Sequence, residues 1–133
     1  MNEERRAKDV AQLVGARGEG IIQVDGTEHR ILFTNRAVAE AESSIGKGII
    51  GLLQGFQSGT TGIGDVAHLL AAGLEAARRD AHAGGRPVTL DDAYRIMDQV
   101  GFAEVTRCTV EAISAVLSYG KNKDDEATTS PNP

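Results

Sequence analysis

The chain has one cysteine, Cys108, and no tryptophan among its 133 residues. A single cysteine allows no intramolecular disulfide, which suits a reducing compartment. Aromatics are scarce: Phe33, Phe56, Tyr94, Phe102 and Tyr119 are scattered along the sequence. Base-stacking surfaces need aromatics clustered beside cations, so that class of nucleic-acid binder is disfavoured. No segment is a basic block, and 14 Lys and Arg stand against 19 Asp and Glu for a net charge of -5. The electrostatic footprint of a nucleic-acid partner is therefore missing. No apolar run approaches the roughly 18 residues of a membrane span. The charged start, MNEERRAKDV, lacks the apolar stretch of a secretory signal. The expectation is a soluble, non-exported protein, or one that leaves its cell by some other route, with neither nucleic acid nor membrane as its main partner.

What is present fits one domain with a modest core, at 41% hydrophobic and 25% charged residues. Residues 1–18 hold few apolar positions and read as a flexible or partner-dependent arm. Two β-branched-rich runs, Ile21–Val24 and Arg30–Thr34, flank Asp25-Gly26, a standard hairpin-turn pair. The pattern then turns helical. Thr34 or Asn35 can cap a helix through Ile45, and Gly48–Phe56 reads as a short helix softened by glycine, with 57–64 a loop. Asp65 is placed to cap a long helix to Ala81, whose Val66, Leu69, Leu70, Gly73, Leu74 and Ala77 form one stripe. Thr89 and Asp92 have capping-box spacing ahead of a helix that puts Leu90, Ala93, Tyr94 and Met97 on one face. A last helix over 102–118 points Phe102, Val105, Thr109, Ala112, Ile113, Val116 and Leu117 inward. The polar end, 120–133, is expected to be disordered. The fold class is α+β, mostly α: an N-terminal β-hairpin followed by four or five packed helices, with the domain over 19–119.

Catalytic chemistry finds little foothold. His29, His68 and His82 have no metal-ligand spacing, and His68 reads more simply as a boundary residue. Arg107 beside Cys108 would lower a thiol pKa if the two met, yet no relay partner is near, so an inert cysteine is the simpler reading. Gly46-Lys47-Gly48 lacks both the first glycine and the hydroxyl of a phosphate loop, and Gly59–Gly64 has its glycines in the wrong order for a dinucleotide loop. Asp91 and Asp92 are adjacent, so they point about 100° apart on a helix and cannot share a proton. Helix-dipole stabilisation accounts for them. No enzyme, metal or cofactor is expected. The segment containing Ile49, Ile50, Leu52, Leu53 and Phe56 is too apolar all round for a simple amphipathic helix. It is either ordinary core or a surface that Ile49, Ile50, Leu53 and Phe56 offer to a partner. Residues 88–119 carry five acidic against two basic side chains, a bias that would steer a basic partner.

One family shares this order of features. The stretches Val24-Asp-Gly-Thr-Glu-His-Arg-Ile-Leu-Phe33, Thr34-Asn-Arg-Ala37, Ile50-Gly-Leu-Leu53 and Asp65-Val-Ala-His-Leu-Leu-Ala-Ala-Gly-Leu-Glu75 are followed by Val88-Thr-Leu-Asp-Asp-Ala93 and Ile96-Met-Asp-Gln-Val-Gly-Phe-Ala-Glu-Val105. Over residues 19–119 the chain resembles the small tail assembly chaperones of long-tailed phages, in the branch also found in gene transfer agents. The resemblance implies a non-enzymatic protein of the bacterial host cytoplasm that keeps the tape measure protein soluble and helps recruit tail tube protein, with self-association as a further expectation. The alternative is a structural minor tail or tail-completion protein retained in the virion. A small regulatory domain and an unrecognised enzyme are the more distant readings.

Overall fold

A computed structural model describes residues 15–120. An antiparallel hairpin, β1 (Gly18–Val24) and β2 (Thr27–Phe33), leads into five helices: α1 (Asn35–Ile45), α2 (Ile49–Ser58), α3 (Ile63–Asp80), α4 (Leu90–Val100) and α5 (Phe102–Leu117). The class is α+β and mostly α. The expected arm up to residue 14 and the expected tail from residue 121 lie outside the described residues. Gly18 already belongs to β1.

The hairpin pairs Gly18 with Phe33 and Val24 with Thr27. This leaves Asp25 and Gly26 as a two-residue turn with φ of 48° and 81°. Two positive φ values make the turn whose twist matches that of the strands. β1 starts three residues before the β-branched run, because packing against α5 overrides the weak strand preference of Gly18 and Gly20.

Ile22, Val24, Ile31 and Phe33 are buried, and the hairpin packs on α3 and α5. Full burial of a side chain such as Phe33 contributes about 1.5–3 kcal/mol. Helix α3 is central, touching β2, α1, α4 and α5. Gly73 lets β2 approach it: a Cβ there would stand 2.8 Å from the Phe33 ring and 3.2 Å from Ile31 Cβ. In α5 the fully buried Thr109 hydroxyl donates to the Val105 carbonyl at 2.7 Å, so this buried hydroxyl is satisfied.

Helix ends follow local chemistry. Thr34 caps α1 by accepting from the Ala37 N–H at 3.1 Å, and Gly46 ends it in the left-handed region. Thr89 and Asp92 form the reciprocal capping box that opens α4. Asp65, in contrast, is not the cap of α3. The helix begins two residues earlier, after Gly62, which places Asp65 in the first turn, where its charge suits the helix dipole and meets Lys47 Nζ at 3.2 Å. The loop expected over 57–64 is correspondingly shorter, since α2 runs on to Ser58. Among the described residues no helix is long and apolar enough to cross a membrane.

Candidate interaction surfaces

The structure divides the four residues proposed for partner contact. Ile49 is turned into the core at 6% exposure, so its assignment to a partner surface is corrected. Its N–H donates to Glu42 Oε2 at 2.8 Å, which supplies the cap that Gly48 cannot. Ile50 is 58% exposed, whereas Leu53 and Phe56 are half-buried at the edge of the core. Of the five apolar residues that make the segment look apolar all round, Ile49 and Leu52 anchor α2 in the core and Leu53 and Phe56 share that face, so Ile50 alone lies off it. The chain that follows α2 is tied back by the Thr61 hydroxyl, which donates to the Leu52 carbonyl at 2.9 Å.

A larger feature lies between the hairpin, α3 and α4. It is a cleft of about 560 Å³ whose apolar lining includes Leu74, Ala77, Ala81, Val88 and Ile96. Two carboxylates beside it each hold two guanidinium groups. Glu75 accepts from Arg78 at 2.8 Å, from Arg79 at 2.9 Å and from the Val88 N–H at 2.9 Å. The Arg78 hydrogen bonds dominate in pulling the Glu75 carboxyl down to about 2, helped by the Val88 N–H and opposed by burial. Asp92 accepts from Arg86 at 2.8 and 2.9 Å and lies 3.5 Å from Arg95. Arg86 foremost, then the Thr89 N–H, holds the Asp92 carboxyl far below the ordinary range. Arg86 and Arg95 remain 64% and 67% exposed.

Three side chains expected to face inward are partly exposed, among them Tyr94 at 37% and Phe102 at 39%. The inward arc of α4 is narrow, made by Ala93, Ile96 and Met97, and Tyr94 sits one position off it. Phe102 is the first residue of α5, where a helix end has fewer neighbours. Leu117, at the other end of α5, is likewise 38% exposed.

Burial pushes the Cys108 thiol above its ordinary pKa, reinforced by Glu104 and opposed by Arg107. A thiol held protonated is a poor nucleophile. Lys47 follows the cap of α1 and pairs with Asp65. Gly59, at the start of the expected loop, is the left-handed cap of α2. Among the described residues no group of three or more His, Cys, Asp or Glu is placed to hold a metal ion.

A family model described as phage tail tube protein, GTA-gp10, matches residues 17–118. The matched span contains both strands and all five helices. No curated protein and no solved structure matches the chain. The match places the chain in a phage and gene transfer agent tail context. It overturns the tail assembly chaperone function implied by the resemblance, because the matching family is one of tube proteins, structural parts of the tail. The structural alternative fits that family better. The match says nothing of a tape measure partner.

Proposed function

The chain belongs to the phage tail tube protein family GTA-gp10, and from that membership we propose that it is a structural subunit of a phage or gene transfer agent tail. The observation that carries this reading is the family match across 17–118, which takes in the whole described fold rather than one motif. In this reading the chain works through its surfaces: it binds copies of itself and other tail components, catalyses no reaction, and is assembled in the bacterial host cytoplasm. Ile50, with the edges of Leu53 and Phe56, supplies one contact to a neighbouring tail protein, since an exposed isoleucine beside half-buried apolar groups gains by being covered.

Quantitative mass spectrometry of purified particles tests the reading. A tube subunit is expected in many copies per tail, and a minor tail or completion protein in few. Absence from finished tails overturns both structural assignments.

A further inference from the structure

Three positions of the acidic stretch fall on one side of α4: Asp91, Tyr94 and Asp98, at i, i+3 and i+7. Arg95 reaches Asp92, and Arg107 reaches Glu104 and Glu111. Asp91 and Asp98 are left exposed and without an ion pair among the described residues. Between them Tyr94 carries its hydroxyl over Gly64, next to Ile63, which is 59% exposed. The result is an apolar patch with an acidic border.

The cleft has the opposite character. Its floor is aliphatic, and on the α3–α4 side Arg78 and Arg95 line it: Arg78 is paired with Glu75, whereas Arg95 shares the single carboxylate of Asp92 with Arg86. Among the described residues Arg95 has only the 3.5 Å contact to Asp92, so its guanidinium retains donors for a further carboxylate. Glu28 lies at the hairpin end of the cleft, where Gln23 donates to it across the strands at 3.4 Å.

We propose that the Tyr94 face of one copy docks into the α3–α4 cleft of the next, with Asp91 and Asp98 meeting Arg86 and Arg95. Charge complementarity selects a second copy as the occupant: the acid-bordered patch and the arginine-bordered cleft are matched in sign and both have apolar centres. The two faces lie about a third of a turn apart on the same helix. One copy therefore gives one face and receives on the other. Such a contact is heterologous, and repeated it closes into a ring or extends as a filament. The proposal rests on the reading of this chain as a self-associating tail subunit.

The test uses the full chain in sedimentation velocity at low and high salt, with Arg95→Glu and the double variant Asp91→Asn/Asp98→Asn. All three positions are exposed, and thermal melts check that each variant is folded; Tyr94→Lys gives a second, independent block of the same face. Wild type is expected to associate, with affinity falling at least ~10-fold at high salt. Each variant alone is expected to be monomeric where wild type associates. A mixture of Arg95→Glu with the double aspartate variant is expected to form a 1:1 dimer that grows no further, because one intact contact remains between them. Variants that associate like wild type, or a mixture that stays monomeric, overturn the contact while self-association stands. A wild-type chain that is monomeric at every concentration and salt overturns self-association itself, and the contact with it.

Discussion

Replacing Glu75 by Gln keeps the size of the side chain and an acceptor for Val88 while removing the charge that gathers Arg78 and Arg79. The carboxyl stands at about 2 in the folded protein against an ordinary 4.5, chiefly because Arg78 hydrogen-bonds its ionised form. That difference corresponds to about 3 kcal/mol. Arg79 is 60% exposed, and solvent screening of such a partner reduces the contribution to about 1–2 kcal/mol. The folded pKa lies below the unfolded one, so the stabilisation is complete above about 4.5 and is lost as pH falls toward about 2. Urea unfolding at pH 7 is expected to show Glu75→Gln less stable by about 1–2 kcal/mol, a drop in Tm of about 3–6 °C for each kcal/mol in a chain of this size. The gap between the two proteins should narrow below pH 4.5 and close near pH 2. Equal stability at pH 7, or a gap that stays constant from pH 7 to pH 2.5, would refute the reasoning.

Gly73→Ala sets two terms against each other. Helix preference favours alanine by about 1 kcal/mol, while the new Cβ would press on the fully buried Phe33 ring at 2.8 Å. Overpacking of that kind costs about 1–3 kcal/mol, so a net loss in Tm is expected, and a gain would show that β2 moves away freely. Thr106 Oγ1 is buried without a hydrogen-bond partner among the described residues. Thr106→Val is therefore expected to be neutral or to stabilise by up to about 1 kcal/mol in urea unfolding; a loss greater than that would show that the hydroxyl has a partner. Ile49→Ala should destabilise by about 2–4 kcal/mol. Ile50→Ala, one residue on, should change stability by less than about 0.5 kcal/mol while weakening incorporation into tails, as read by particle mass spectrometry.

Local signals were readable where the chemistry is local. The Asp25-Gly26 turn, the Thr34 cap, the Thr89–Asp92 capping box and the stripe from Val66 to Ala77 all appear as the residue pattern implies. Glycine was misleading in β1, where it hid three strand residues. In α2 the apolar look came from Ile50, which lies off the face that Ile49, Leu52, Leu53 and Phe56 share. Asp65 looked like a cap because its residue type suits one, yet it suits a first-turn position equally well. The cleft was invisible for a different reason: its lining runs from Glu28 to Gln99 and exists only once β2, α3 and α4 are packed. The acidic bias of 88–119 was visible in the sequence, but the separation of Asp91 and Asp98 from the paired Asp92 needed coordinates.

Helix α2 is anchored to the core by Ile49 and Leu52, with Glu42 fastening its start and Thr61 holding the Leu52 carbonyl. The hairpin and α3, by contrast, share a broad buried surface. Opening free energies for backbone exchange should therefore be graded across the molecule, lowest in 49–58 and highest along the α3–β2 seam. A segment that opens early without loosening its neighbours can take a new pose against an adjoining tail protein while the rest of the subunit keeps its shape. The contact proposed at Ile50 would then acquire adaptability from the sparseness of the helix's own anchoring.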